Sequence, residues 1–269
     1  MRRLTAAAAV GTLAIAATLF GASAASAADT AEVYVVHGIP NTPVDVYVNG
    51  ALTLNDFQPE TVAGPLDLPA GSYDVAITAP DAADDSSPIL SATVDLAGGK
   101  SYSLVAHLDA SGAPTVTPYG NDISTISAGQ TRLVVRHDAA APAVDIRAGG
   151  AVVLPGVTNP QEGVLNIPAG TVSADVVLAG TTTVAIGPAS LDLAEGSATF
   201  VHAVGSAADG TLALVSFTIP GLHSAPGGVP AGTGPANSAV PMIALVVLLT
   251  LGLGVATVGG RRLYLDRSL

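Results

Sequence analysis

Residues 33–48, VYVVHGIPNTPVDVYV, return about 100 positions later as residues 132–148, RLVVRHDAAAPAVDIRA. His37 is matched by His137, and Val44-Asp45 by Val144-Asp145. Further along, the LPAG of Leu68–Gly71 returns as the IPAG of Ile167–Gly170, and Val94-Asp95-Leu96 as Leu191-Asp192-Leu193. One folding unit is therefore present twice in tandem.

Each copy reads as short alternating segments between turn signals, which is the pattern of strands and not of helices. In the first copy the expected strands are Glu32–His37, Val44–Val48, Ala51–Leu54, Val62–Leu68, Ser72–Thr78, Ile89–Leu96, Tyr102–Leu108 and Ala113–Pro118. Asn49-Gly50 sits directly between two of them, a type I′ hairpin signal because both central residues must take positive φ. The second copy repeats the order as Arg132–His137, Val144–Arg147, Ala151–Leu154, Gly163–Ile167, Thr171–Leu178, Ala189–Leu193, Thr199–Val204 and Thr211–Thr218. So many short strands in so few residues predict an all-β chain of two tandem antiparallel β-sandwiches, immunoglobulin-like or transthyretin-like. The boundaries expected are 28–122 for the first and 131–220 for the second. The short polar join at Asn121–Gln130 leads us to expect the two to pack end to end.

The two ends of the 269-residue chain read differently. Arg2-Arg3, an apolar run from Leu4 to Phe20 and the small residues Gly21–Ala27 form a signal peptide over 1–27, with Ala25-Ser26-Ala27 as the cleavage site. After Pro220 a Gly/Pro/Ser/Ala tract over 221–239 reads as a stalk. Residues 240–258, VPMIALVVLLTLGLGVATV, carry no charge. As a helix they would cover about 28 Å, close to the ~30 Å hydrocarbon core. Arg261, Arg262 and Arg267 in the tail, 259–269, place that tail in the cytoplasm. The expectation is a single-pass cell-membrane protein with an extracellular ectodomain. VPAGTG at Val229–Gly234 loosely resembles an L-P-x-T-G wall-sorting signal. Val229 stands for Leu, and Gly232 adds a residue before Thr233, which shifts the bond a transpeptidase would cut. Plain membrane anchoring is the reading, with wall anchoring as the alternative.

Between the ends, residues 28–239 carry 20 Asp and Glu against four basic groups, Lys100, Arg132, Arg136 and Arg147. Phosphate backbones are repelled by such a surface, which argues against nucleic acid as a partner. There is no cysteine, so the fold holds by burial and strand pairing alone, and thiolate chemistry is excluded. Trp is absent too, and the core must be built from Val, Ile, Leu, Ala and Thr.

The strings VVHGIPNTPVDVYVNG, LPAGSYDVAI and VDLAGGKSYSLVA resemble the bacterial domain-of-unknown-function 4397 family, whose units open on a V-V-H-x-x-P-x-x-P-x-V-D-V-Y type pattern and continue to a P-A-G turn and an A-G-x-x-Y strand. The resemblance spans roughly 30–220 and is looser in the second copy. There His137 is displaced by one from the Val-Val pair, and Ile146-Arg147 replaces Val46-Tyr47. It implies exported, surface-associated β domains and no known reaction. The composition, high in Ala, Gly, Val, Thr and Asp and low in Lys, resembles that of actinobacterial proteins and leads us to expect a high-GC genome.

Candidate chemistry is sparse. His37 with Asp45, and His137 with Asp145, are His/Asp pairs, but zinc needs three or four converging ligands. His107, His202 and His223 show no ligand spacing. Asp81, Asp84 and Asp85 form the densest carboxylate run, without the D-x-D-x-D-G register of a calcium loop. No G-x-S-x-G elbow occurs, and the glutamates Glu32, Glu60, Glu162 and Glu195 sit apart. The reading is no catalytic residue, no cofactor and no metal, with His37, Asp45, Asp81, Asp84 and Asp85 as the residues a metal would use. The expected function is a non-enzymatic cell-envelope surface protein in adhesion, wall association or scaffolding. Its partners are the cell membrane and surface or wall components. The alternative is a small-ligand or divalent-metal module at the loop ends.

Overall fold

The computed structural model describes residues 29–223. The expected signal peptide, most of the stalk, the apolar segment 240–258 and the tail lie outside the described residues. Among the described residues every regular element is a strand, and no helix is long and apolar enough to cross a membrane. The first copy contributes β1 (Thr30–His37), β2 (Val44–Val48), β3 (Ala51–Phe57), β4 (Thr61–Pro69), β5 (Gly71–Thr78), β6 (Leu90–Leu96), β7 (Ser101–Leu108) and β8 (Pro114–Asn121). The second contributes β9 (Gln130–Ala140), β10 (Val144–Ala148), β11 (Ala151–Val157), β12 (Glu162–Pro168), β13 (Gly170–Leu178), β14 (Val184–Leu193), β15 (Ala198–Ser206) and β16 (Ala213–Ile219).

Local sequence explains the turns. Asn49 and Gly50 both take positive φ, 49° and 78°, and join β2 to β3 as the hairpin signal requires. Gly149 and Gly150, at 57° and 83°, do the same between β10 and β11.

Each copy folds into two four-stranded sheets. The first has the orders β4-β1-β7-β8 and β3-β2-β5-β6, and the second β12-β9-β15-β16 and β11-β10-β13-β14. The expectation of wholly antiparallel sheets is corrected at one ladder in each copy, because β1 pairs parallel with β7 and β9 parallel with β15. The reason is parity. The chain runs alternately up and down, so any two odd-numbered strands placed side by side must point the same way.

Between its two sheets each copy has a core of small branched side chains. Val33, Val35, Val46, Val75, Ile77, Val94 and Leu104 fill the first. Leu133, Val135, Ile146, Val176, Leu193 and Val201 fill the second. The remaining cavities are about 30 Å³ each.

The expected end-to-end packing is also corrected. The sheets that hold β1 and β9 press face to face, giving four layers. Tyr34, Val134, Ala198, Phe200 and Ile219 make one contact cluster between them, and Val36, Val105, Val204 and Val215 another. The physical cause is visible in the central strands. β1, β7, β9 and β15 are buried along nearly their whole length, on both faces. Alternate residues of β1 serve two cores: Val33 and Val35 point into their own sandwich, Tyr34 and Val36 into the other copy.

Across this face β4 meets β16 and β7 meets β9. The copies are thus related by an approximate two-fold axis running along the strands. Strand register fixes the equivalences. The Val36–Val105 neighbours of one sheet correspond to Arg136–His202 of the other, and Tyr34–Ser103 to Val134–Phe200. His137 is therefore not displaced relative to His37. Val135 matches Val35 in the core, and Arg136 occupies the place of Val36 at the interface.

Both copies also point the same way. Residue 29 leaves beside the turns at Ala70 and Gly99, and residue 222 beside Gly196. Chain entry and exit lie at one end of the body, here termed the base. The opposite end, the tip, carries the loops after β1, β3, β5 and β7 and their second-copy equivalents. At the tip Asn159 donates to the Leu108 carbonyl at 2.8 Å, linking the two copies.

Candidate functional site

The sequence-selected residues do not converge: His37 and Asp45 lie toward the tip, whereas Asp85 reaches back to the Gly50 hairpin near the base. His37 is fully buried, and its Nε2 lies 2.8 Å from the Thr42 carbonyl, closing the loop after β1. Burial lowers its pKa, opposed by that hydrogen bond. His137 does the same in the second copy, with Nε2 3.0 Å from the Pro142 carbonyl while Nδ1 accepts from the Ala139 amide.

Asp45 and Asp145 hold a bulge and not a ligand. The Asp56 amide donates to Asp45 at 2.7 Å, and the Gly156 amide to Asp145 at 2.7 Å. Asp56 and Gly156 both have positive φ at the point where the hairpin register shifts. Asp145 also accepts from the Gly180 amide, and these two N–H groups hold its carboxyl below the ordinary value.

Asp81, Asp84 and Asp85 lie on the β5–β6 loop. Asp84 accepts from the Ser86 amide at 3.0 Å, and Ser86 lowers its pKa. Among the described residues no group of three or more His, Asp or Glu side chains is placed to hold a metal ion.

The structure instead assembles an ionic seam from residues far apart in sequence. Asp138, on β9, is buried completely and lies between two partners. The Tyr119 hydroxyl, from β8, donates to its Oδ1 at 2.5 Å, and His202 Nδ1, from β15, lies 2.7 Å from its Oδ2. Arg136, also fully buried, ties Glu162 of β12 at 2.8 Å and Asn121 of β8 at 3.0 Å. Its guanidinium lies 4.2 Å from the centre of the Tyr119 ring and 5.0 Å from that of Phe200, within cation–π range. Asn121 completes its bonding with Ser103 and Ser101 of β7.

The first copy has no room for a side chain at the position of Asp138. Its equivalent in the first copy is Gly38, and a Cβ added there would lie 2.6 Å from Val204 Cγ1.

The electrostatics follow from burial and pairing. Burial pushes the Asp138 carboxyl up, but the His202 hydrogen bond, the charges of His202 and His107, and the Tyr119 hydroxyl outweigh it. The group is held below its ordinary 3.8. Burial lowers His202 below its ordinary 6.5 against the pull of Asp138, with Arg136 and His107 adding to the lowering. Burial and the Asp138 charge push Tyr119 far above the usual phenol range. At neutral pH the pair is therefore carboxylate and neutral imidazole, with Nδ1–H donating to Asp138. Nε2 of His202 and Nη1 of Arg136 are buried and have no hydrogen-bond partner among the described residues.

Sequence reasoning passed over Tyr119, Asn121, Arg136 and Asp138, and took His107 and His202 only as lone histidines. The signal was present in β9: an Arg-His-Asp triplet inside the apolar run RLVVRHDAA, where an edge or one-sided strand would alternate.

A family model for a domain of unknown function, DUF4397, matches residues 31–147. The match covers the first sandwich and continues through β9 and β10, under half of the chain. Beyond Arg147 the likeness of the second copy rests on the internal repeat. A solved structure, a "putative cell adhesion protein from Bacteroides ovatus", is 11% identical and aligns over 70% of this chain and 95% of its own, with a TM-score of 0.22, too low to carry an argument. Among curated proteins none matches this chain.

Proposed function

We propose that the chain is a non-enzymatic protein of the bacterial cell envelope, held outside the membrane by the 240–258 span and acting in adhesion, wall association or scaffolding. One observation carries this reading: entry at residue 29 and exit at residue 223 share the base. Both chain ends of the described body thus lie opposite the tip, which leaves the tip loops free for a partner. Two filled cores and a seam whose polar groups face one another also favour a load-transmitting body over a catalytic cleft. Of the two sandwich classes expected, we take the transthyretin-like one. The immunoglobulin order sets strands ABED against CFG, and the first copy has β4-β1-β7-β8 against β3-β2-β5-β6.

The test is made on whole cells that express the full chain. A protease that cannot cross the membrane should remove the body, and cells deleted for the chain should lose attachment to surfaces or to isolated wall. A body protected inside intact cells rejects the surface placement. Undiminished attachment and wall binding after deletion reject the adhesive and wall-associated roles.

A further inference from the structure

The seam has two unlike sides. Along β4, β1, β15 and β16 it is apolar, with Phe217 stacked on Tyr34 at 4.4 Å and on Phe200 at 5.0 Å between ring centroids. Along β7, β8, β9 and β12 it is ionic, and Tyr119 also reaches across to the Pro160 carbonyl at 2.8 Å. His202 lies at the boundary, with the Phe217 ring stacked at 6.1 Å on one side and Asp138 on the other.

We propose that the His202–Asp138–Tyr119 cluster is an acid-released latch: a proton taken up at His202 Nε2 parts the two sandwiches along their ionic side, while the aromatic side holds as a hinge and each sandwich keeps its own fold.

The argument is geometric. The neutral imidazole has one N–H, and Asp138 satisfies it. A second N–H at Nε2 would be a buried charged donor with no acceptor, a costly state in a low-dielectric interior. The charged and titratable groups that face His202 are Arg136 and Asp138 on β9, Tyr119 on β8 and His107 on β7. Glu162 of β12 acts through Arg136. Arg136 is a permanent cation, so the new charge enters beside one already buried. Only separation along the ionic side brings water to Nε2. Each sandwich also holds buried titratable groups, His37 and Asp45 in the first and His137 and Asp145 in the second, but these fix loop ends of their own copy and lie outside the seam, so His202→Asn separates the seam from them. Burial lowers the pKa of His202, so its proton is taken up only in an acid window below the ordinary imidazole value of 6.5.

The full chain, purified in detergent, has no cysteine, so paired spin labels report only where they are placed. Labels on A110C and Q161C span the ionic side, and labels on T61C and S216C the aromatic side. As pH falls through the window, the first distance should lengthen reversibly by more than its width at neutral pH. The second distance and the far-ultraviolet circular dichroism should hold. His202→Asn keeps an N–H for Asp138 but takes no proton, and should abolish the change. An unaltered first distance, an equal response in His202→Asn, or lengthening of both distances with loss of the β spectrum overturns the proposal. Should His202→Asn fail to fold, the wild-type His202 ring resonances must titrate at the midpoint of the distance change, and a mismatch overturns it equally.

Discussion

Phe200→Ala tests the face-to-face packing most directly. Phe200 is 0% exposed, although it lies outside both sandwich cores. On the seam face of its own sheet Phe217 stacks on it at an interplanar angle of 12° and Arg136 lies over its ring, and across the seam it clusters with Tyr34 of the first copy. Truncating a fully buried phenylalanine costs about 3–5 kcal/mol when the site cannot collapse. Within that, the lost aromatic pair contributes about 0.5–1.5 kcal/mol. The lost cation–π contact contributes about 0.5–2 kcal/mol. Against a whole-domain stability of about 5–15 kcal/mol this is a large fraction. Guanidinium unfolding of the full chain in detergent, followed by circular dichroism and tyrosine fluorescence, should show a destabilisation of about 4 kcal/mol by the truncation rule. Phe200→Leu, which keeps most of the volume, should cost under about 1.5 kcal/mol. A loss below about 0.5 kcal/mol for Phe200→Ala is what a solvent-facing residue gives. That result would refute the reasoning, because it would mean the two sheets do not press together.

Gly38→Val should act as a wedge. The new Cβ meets Val204 at 2.6 Å and the Ala106 carbonyl at 3.2 Å, and overpacking of this kind costs about 1–3 kcal/mol in the same denaturation assay. Asp138→Ala leaves the Tyr119 hydroxyl and the His202 N–H without their partner, and breaking a buried pair this way should cost about 3–5 kcal/mol. The pH profile of the denaturant midpoint has a fixed sign. His202 has a lowered pKa, so its contribution is complete above 6.5 and is lost as pH falls through the folded value. Asp138 and Asp145, depressed below 3.8, contribute above that value and lose their contribution as pH falls through their folded values. The midpoint should therefore be flat from 6.5 up to the onset of tyrosine ionisation at 10.0, fall above it because Tyr119 is held protonated in the fold, and decline on acidification, and a rise on acidification would contradict these assignments.

The strands were legible because each rests on local signals. Asn49-Gly50 and Gly149-Gly150 demand hairpins, the LPAG and IPAG turns mark strand ends, and Tyr73, Val75 and Ile77 alternate as an edge-proximal strand should. The pairing of β1 with β7 was not legible, since no local residue records which odd-numbered strand lies beside which. Face-to-face packing left a trace that alternation alone does not read. VYVVH, SLVAHL, RLVVRHDAA and TFVHAV are continuous apolar runs, the mark of strands covered on both sides. The bulge-holding roles of Asp45 and Asp145 could be anticipated as loop fixation. The seam could not, because Tyr119, Asp138 and His202 meet only when two sheets of different copies close on each other.

A pair of identical subunits joined through such a face must be self-complementary: whatever one offers, the other offers as well. Tyr119, Asp138 and His202 would then be duplicated on the opposite side, and there would be no place for the stacked aromatic rings. Because the two halves are a single polypeptide, each position could drift from its twin, Gly38 from Asp138 and Val105 from His202. Covalent fusion thus released this junction from self-complementarity, and only a lopsided junction can be loosened on one flank while it grips on the other.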